Sequence, residues 1–408
     1  MAATMTFKYS VRDRQGKLVS GELAAETEAA LVQRLKSMGY APVSIELTNG
    51  GLKKELTIPG FGPKVKLKDL AIFSRQFATM INSGLSLMRA LTILSEQTES
   101  KELARVVSEV RNEVEAGGAL SASMGKHPKV FPPLMVNLCK AGEVGGFLDG
   151  VLIQIAENYE AEVKLRAKIK SAMTYPVVVG CIAVIALVIM LTFVVPSFAK
   201  IFTSLGTKLP APTQMLVTLS HAMKILVPLG IMFSIAFVIV WRRIKHDERV
   251  RAFVDPLKLK VPVFGMLFQK VAIARFARNL GTMIKSGVPI LQALDIVADT
   301  TGNWTITAAV RDVQDSVRQG ESLTQPLAQH DVFPPMVVQM MAVGEDTGAL
   351  DTMLYKISEF YDQEVEATTE ALTALIEPIM IAVLGGLVGG MIICLYLPIF
   401  DVYKNIGS

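Results

Sequence analysis

The sequence predicts a mainly α-helical, polytopic membrane protein with two duplicated helical-bundle domains, three transmembrane helices and a small N-terminal α+β module. Three observations lead to this prediction. A nine-residue phrase occurs twice, three apolar runs are long enough to cross a bilayer, and the composition is apolar, with 51% hydrophobic and 19% charged residues. Soluble domains usually carry about 25% charged residues, so the excess of apolar residues indicates membrane spans.

The duplication is clearest in a glycine-containing phrase. The phrase A-G-E-V-G-G-F-L-D at 141–149 returns as V-G-E-D-T-G-A-L-D at 343–351, so Glu143 and Glu345 lie 202 positions apart. Other matched segments follow in the same order: Phe73-Ser74-Arg75-Gln76 and Phe276-Ala277-Arg278-Asn279, Ser83-Gly84 and Ser286-Gly287, Phe131-Pro132-Pro133 and Phe333-Pro334-Pro335, Tyr159 and Tyr361, Glu162 and Glu364, Pro176 and Pro378. A period this long indicates a duplicated domain, because solenoid repeats are usually about 20–50 residues long.

The apolar residues are concentrated in three uncharged runs, at 177–195, 225–241 and 379–397. As a helix, each run can cross a hydrocarbon core of ~30 Å. The predicted organisation is an α+β module at 1–48, a flexible linker at 49–66, a first helical domain at 67–172, spans at 173–198, 223–241 and 376–400, a short segment at 199–222 between the first two spans, a second helical domain at 242–375, and a tail at 401–408. The N-terminus lacks the apolar stretch of a signal peptide.

Basic residues are concentrated on one side of the first two spans, and the stretch between the spans carries only Lys200, Lys208 and Lys224. The concentrated residues are Lys164, Arg166, Lys168 and Lys170 before the first span, and Arg242, Arg243, Lys245, Arg249 and Arg251 after the second. By the positive-inside rule, both helical domains and the N-terminus are expected in the cytoplasm and the C-terminal tail outside it. A docking role for these clusters is the alternative to orientation alone, and we favour orientation.

The N-terminal module is predicted from alternating apolar residues and turn signals. Strands are expected at 7–11, 18–23 and 43–47, with a helix at 26–38. The 49–66 segment is rich in glycine, proline and lysine, which is typical of a linker.

Each duplicated domain shows helical periodicity. Leu148, Leu152, Ile155, Tyr159 and Val163 are spaced by three or four residues, and the second copy repeats that spacing from residue 350 to 365. Such an apolar stripe predicts an amphipathic helix that packs into a bundle. We expect five or six helices in each copy, with the last one continuing into a span.

Catalytic motifs are absent from the sequence. It has no phosphate-binding G-x-x-x-x-G-K-[ST] loop, no G-x-S-x-G elbow and no H-E-x-x-H pair. The four histidines are scattered, and the three cysteines, two of them within spans, suggest neither disulfides nor zinc. We therefore expect no enzyme activity and no cofactor, and a net charge of +4 without interleaved aromatic residues does not suggest nucleic-acid binding.

Four acids in the duplicated phrase are the candidates for a polar site: Glu143, Asp149, Glu345 and Asp351. In the first interpretation they cap backbone amides and favour the positive end of the following helix. In the second, they bind a cation or a basic partner. We favour the first interpretation.

The third span carries two further features. Gly385, Gly386, Gly389 and Gly390 form two overlapping G-x-x-x-G pairs, which predict close packing against another span or another subunit. Glu377 lies just before Pro378 and is either at headgroup level or a buried polar contact with a functional role.

The duplicated motifs, the proline-led spans and the segment Leu209-Pro210-Ala211-Pro212-Thr213 together resemble the inner-membrane platform proteins of type IV pilus and type II secretion machines, the PilC/GspF family. The resemblance covers the whole chain. Asn279, where the first copy has Gln76, and a one-residue shift in spacing before Phe131 are the departures from strict repetition.

The resemblance implies a non-enzymatic platform that couples a cytoplasmic hexameric ATPase to insertion of pilin or prepilin subunits into a filament. It also implies other inner-membrane alignment proteins, membrane lipid and further copies of the chain as partners. The candidates for partner contacts are Arg75, Gln76 and Arg278, together with the four acids of the duplicated phrase. The chain resembles the pilus branch more than the secretion or DNA-uptake branches, and a transporter is a distant alternative because the spans carry few polar residues.

Overall fold

The structure is a computed structural model. It describes residues 5–12, 18–25, 30–32, 35, 40–47, 65–204, 210–245, 247–262 and 264–406. The chain divides into two units, Met1–Lys64 and Val65–Ser408.

The N-terminal unit contains a three-stranded antiparallel sheet. Its strands are β1 (Met5–Arg12), β2 (Leu18–Ala25) and β3 (Ala41–Leu47), in the order β2-β1-β3. Tyr9 is opposite Gly21 on one side and Ile45 on the other, and the β1–β3 register shifts between Ser10 and Val11. The strands occupy the predicted segments. Most of the predicted helix and the linker up to residue 64 lie outside the described residues, so the α+β module as a whole stays a prediction.

The first copy of the duplicated domain consists of six helices. They are α1 (Leu67–Asn82), α2 (Leu87–Gln97), α3 (Lys101–Glu115), α4 (Leu120–Gly125), α5 (Pro133–Gly145) and α6 (Leu148–Ile189). The two prolines at 132 and 133 begin α5, since a proline in the first turn forfeits no helical hydrogen bond. Gly146 ends α5 with φ +74°, a left-handed conformation that favours glycine.

The second copy has the same order of helices, preceded by one more. They are α9 (Glu248–Lys260), α10 (Phe264–Lys285), α11 (Ile290–Thr300), α12 (Trp304–Arg318), α13 (Thr324–Leu327), α14 (Pro335–Thr347) and α15 (Leu350–Ile406). Helices α10–α15 correspond to α1–α6, and Gly348 ends α14 with φ +70°. The expectation of five or six helices in each copy agrees with the first copy, whereas the second copy has a seventh helix, α9, before the six that correspond.

The two copies share one hydrophobic core. In the first copy α1 packs along α6, and in the second α10 packs along α15. Phe73 contacts Phe131 with ring centroids 5.9 Å apart, and their counterparts Phe276 and Phe333 are 5.2 Å apart. Buried side chains from both copies form a single contiguous cluster, because α6 of the first copy also contacts α10 and α15 of the second.

Among the residues that the structure describes, three helices are long and apolar enough to cross a membrane: the helix at Leu148–Ser204, α8 at Ala211–Ile244, and α15. The first of these includes α6, a π-helical segment at Met190–Val194 and α7 at Val195–Ser204. The π segment lies directly before Pro196, whose ring would clash with the carbonyl of Thr192 in a regular α-helix. Near the π-helical segment, the first and third spans contact each other through Leu191, Val195, Met391 and Leu395.

Candidate functional site: the repeated hairpins and the interface between the copies

The repeated hairpin joins α5 to α6 and α14 to α15, and it requires glycine at one position in each copy. A Cβ on Gly142 would lie 3.0 Å from the Cα of Leu148, and a Cβ on Gly344 would lie 3.0 Å from the Cα of Leu350. The neighbouring atom is backbone in both copies, so it cannot rotate away as a side chain can. The first glycine of the phrase therefore allows two helices to approach closely.

The glutamate of each hairpin caps a helix. The Glu143 carboxylate accepts hydrogen bonds from the backbone N–H groups of Leu120 and Ser121, at 2.5 and 3.0 Å, and from the Ser121 hydroxyl. The Glu345 carboxylate accepts from the N–H of Leu323 at 2.9 Å and from the hydroxyl of Ser322 at 2.7 Å. Capping is thus the role of both glutamates.

The helices that the glutamates cap are not the ones that follow the hairpins. They are the short helices α4 and α13, whose capped amides precede the glutamates by 22 or 23 residues. The reason is packing: α5 lies against α4, and α14 against α13, so the end of each longer helix faces the start of the short one. Only tertiary structure brings these groups together.

The aspartates of the phrase occupy a different position. Asp149 and Asp351 lie in the first turns of α6 and α15, where a negative charge interacts favourably with the helix dipole. Within the described ranges, no group of three or more histidine, cysteine or acidic residues is arranged to hold a metal ion.

Polar contacts join the two copies along α6, and sequence reasoning did not identify them. The Glu162 carboxylate contacts Arg275 at 2.7 Å and Arg278 at 3.9 Å, both on α10 of the second copy. Asn158 donates to the Asn279 side chain at 3.1 Å, and the Ser286 hydroxyl donates to Gln154 at 2.6 Å. A comparison of the two copies could have indicated this interface, because Arg275 occupies the position at which the first copy has the exposed Ile72.

The arginine of the F-x-R motif makes equivalent ion pairs in the two copies. Arg75 pairs with Glu160 through two hydrogen bonds of 2.6 and 2.5 Å, and Arg278 pairs with Asp362, the residue that corresponds to Glu160. The hydrogen bonds to Glu160 raise the pKa of Arg75. The exposure differs: the Arg75 side chain is 39% exposed and that of Arg278 only 8%.

These positions alter the set of candidates for partner contacts. Gln76 is exposed, whereas Arg278 and its neighbour Asn279 are buried between helices of this chain. Arg278 is therefore an internal residue, and the expectation that it contacts a partner does not agree with its burial. Arg75 and Gln76 remain accessible.

A cavity of about 710 Å³ lies between α6, α10 and α15. Its lining is polar and of mixed charge, including Lys164, Lys285 and Asp351. The ion pair between Lys168 and Glu366, one residue from each copy, lies at the side of this cavity. A cavity lined largely by polar and charged residues therefore lies between the two long helices before they reach the apolar segments.

Two predicted features of the third span are placed by the structure. A Cβ added to Gly385, Gly386, Gly389 or Gly390 would meet no described atom of the chain within 4 Å, so this face is not packed against the other two spans. Glu377 is exposed, which does not agree with the interpretation of it as a buried polar contact within this chain. Helix contact occurs instead at Thr373, whose hydroxyl lies 3.5 Å from the Ala172 carbonyl.

These features define a class of protein: a multi-pass helical membrane protein whose polar domain is duplicated and continuous with its spans. Comparison with known proteins narrows the class. The family model described as "Type II secretion system (T2SS), protein F" matches residues 73–196 and 276–398, and the model of that protein's N-terminal domain matches residues 1–46. The chain belongs to the type II secretion system protein F family, which confirms the predicted resemblance.

Individual relatives match over nearly the full length. The type IV pilus assembly protein PilC of Myxococcus xanthus is 45% identical over 98% of this chain and 95% of its own length. The protein of the same name from Thermus thermophilus is 43% identical, over 97% of this chain and 98% of its own. The type II secretion system protein F of Vibrio cholerae is 32% identical over 97% of this chain and 98% of its own.

Proposed function

We propose that this protein is the inner-membrane platform of a type IV pilus assembly machine. The observation that carries the proposal is the difference in similarity within the family. Relatives named as pilus assembly proteins reach 45% and 43% identity over nearly the whole chain, against 32% for a relative named as a secretion protein. The whole-chain identity is therefore what favours the pilus branch.

The proposed role is mechanical and non-enzymatic. No nucleotide-binding loop occurs in the sequence, so the energy for filament growth would be supplied by a partner, which we propose to be a cytoplasmic hexameric ATPase. The two helical domains and the N-terminus would face that ATPase, in agreement with the basic flanks of the first two spans. The other proposed partners are pilin or prepilin subunits in the bilayer, further alignment proteins and further copies of the chain.

Helix continuity gives a route from the ATPase to the bilayer. Helix α6 runs unbroken for 42 residues from the hairpin into the first span, and α15 runs for 57 residues into the third. At 1.5 Å per residue these helices are about 63 and 85 Å long. A rotation of the helical domains would therefore tilt both spans, because no loop interrupts either helix.

The hairpins remain our candidates for contact with the ATPase, but through different side chains. Both glutamate carboxylates are occupied by helix caps, so charge reversal at Glu143 or Glu345 would damage the fold. Val144 is 83% exposed at the same hairpin, and Val343 is exposed at the second. Val144→Glu therefore tests docking without removing a helix cap, which Glu143→Lys would do.

The unpacked glycine face of the third span fits the expected association with another helix. Because no described part of the chain fills it, we propose that a span of a second copy lies against Gly386 and Gly390.

A gene deletion tests the function. In a strain that lacks this protein but still makes prepilin and the assembly ATPase, electron microscopy should show no surface pili, and the wild-type gene should restore them. Loss of exoprotein secretion with normal pili would assign the chain to a secretion machine instead. Loss of DNA uptake alone would assign it to an uptake system.

A further inference from the structure

We propose that α9, the helix that follows the second span, lies on the surface of the membrane and binds anionic lipid headgroups through Phe253, Leu257, Arg249 and Lys260. This proposal requires only that α8 crosses a membrane, and it does not depend on a role in pilus assembly. Four observations support it.

The first observation is the exposure of large apolar side chains on α9, a helix that is not one of the three candidate membrane spans. Phe253 is 77% exposed and Leu257 is 57% exposed, and Val261, just after the helix, is exposed as well. Phe253 and Leu257 are four residues apart, so they lie on the same face of the helix. Burying these side chains in an apolar phase is favourable, because it removes apolar surface from water.

The second observation is that the opposite face of α9 is already occupied. Asp255 is buried, and its carboxylate accepts hydrogen bonds from the Lys258 ammonium at 2.8 Å and the backbone N–H of Trp304 at 3.0 Å. Leu259 packs against the shared hydrophobic core. These contacts fix the rotation of the helix, so Phe253 and Leu257 point away from the second copy.

The third observation is the charge of the exposed face. Arg249 and Lys260 flank the apolar pair, both are exposed, and no carboxylate of the described chain forms an ion pair with either. The two acids of the helix lie elsewhere: Asp255 faces inward, and Glu248 is five residues before Phe253, about 140° around the helix. An apolar stripe bordered only by cations is typical of helices that bind an anionic bilayer surface.

The fourth observation is the short connection to the second span. Helix α8 ends at Ile244 and α9 begins at Glu248. Three residues lie between them, and four Cα–Cα steps of extended chain span at most ~14 Å, so the start of α9 cannot lie far from the bilayer surface. Trp241, Arg242 and Arg243 at the end of α8 are residue types that mark the headgroup level. A lipid surface is thus within reach of α9 in every copy of the protein, without the need for another protein.

Spin labelling of the full-length protein tests the proposal. The background variant carries Cys181→Ala and Cys394→Ala, so that neither thiol reacts with the label. Cys139 is retained, because it is fully buried and burial raises the pKa of its thiol to about 12, which keeps it unreactive. A nitroxide is attached at Phe253→Cys, and a matched control at Val144→Cys, which is equally exposed on a hairpin. Each is reconstituted in vesicles of phosphatidylcholine with or without phosphatidylglycerol.

The accessibility of each nitroxide to oxygen and to a water-soluble nickel complex shows whether the label lies in the bilayer or in water. With phosphatidylglycerol present, the label at position 253 should be more accessible to oxygen than to nickel, while the label at 144 should remain accessible to nickel. Adding Arg249→Glu and Lys260→Glu should return the label at 253 to water, with unchanged accessibility at 144.

Three results would overturn the proposal. One is nickel accessibility at position 253 equal to that at 144 in anionic vesicles. Another is equal protection in neutral and anionic vesicles, which would contradict recognition of headgroup charge. The third is protection that increases with the protein-to-lipid ratio, which would assign the face to a second copy of the chain.

Discussion

The two copies of the duplicated domain agree in their hairpins and differ in their interfaces. In both, a glycine permits close approach of the helices, a glutamate caps the short helix, and a left-handed glycine ends the helix before the turn. The differences lie where the copies meet: Arg275 replaces Ile72, and Arg278 is buried where Arg75 is exposed. The repeated residues therefore maintain the fold of each copy, and the divergent residues join the copies into one body.

The largest expected effect is at the glycines that the copies share. Gly142→Val and Gly344→Val each place a side chain against backbone at 3.0 Å, which should destabilise the protein by about 2–3 kcal/mol in both cases. Thermal unfolding in detergent measures the effect. Gly150→Val is the matched control, because a Cβ there meets nothing within 4 Å. A marked difference between the destabilisation at position 142 and that at position 344 would show that the two hairpins are not equivalent.

The next effect distinguishes the copies. Glu162→Gln removes the charge that faces Arg275 and Arg278 in a largely buried site, and we expect a loss of about 2 kcal/mol. The counterpart Glu364 pairs with Lys270 in a more exposed position, so Glu364→Gln should cost about 0–1 kcal/mol. Melting temperatures of the two variants, measured in the same detergent, give the comparison. Equal losses would show that Glu162 does not join the copies.

The smallest expected effect is at the capping glutamates. Glu143→Gln and Glu345→Gln keep the size of the side chain but remove the charge that accepts backbone hydrogen bonds, and each should cost about 1 kcal/mol. Glu115→Gln, at an exposed position on α3, should change stability by less than about 0.5 kcal/mol. Hydrogen exchange at the amides of Leu120 and Leu323 would locate the effect. Unchanged exchange there would contradict the capping role.

Local sequence patterns were sufficient to predict part of the helical architecture. The spacing of apolar residues predicts α6 and its counterpart α15. The three spans follow from the length of their uncharged runs. These features depend on neighbouring residues along the chain, which a single sequence displays directly.

The interactions between distant residues could not be predicted in the same way. Glu143 meets the amide of Ser121, and Glu162 meets Arg275, over 22 and 113 positions of sequence respectively. Such pairs depend on how complete helices pack, and no local period encodes that. The repeat itself offered a partial signal, because a charged residue present in only one copy, such as Arg275, marks a position where the two environments differ.

Affinity purification tests the platform role most directly. The tagged protein would be isolated from native membranes in mild detergent, and bound proteins identified by mass spectrometry, with the Val144→Glu variant in parallel. The account predicts recovery of a hexameric-type assembly ATPase and a prepilin with the wild-type chain, and loss of the ATPase with the variant. Recovery of neither from cells that are making pili would contradict the account.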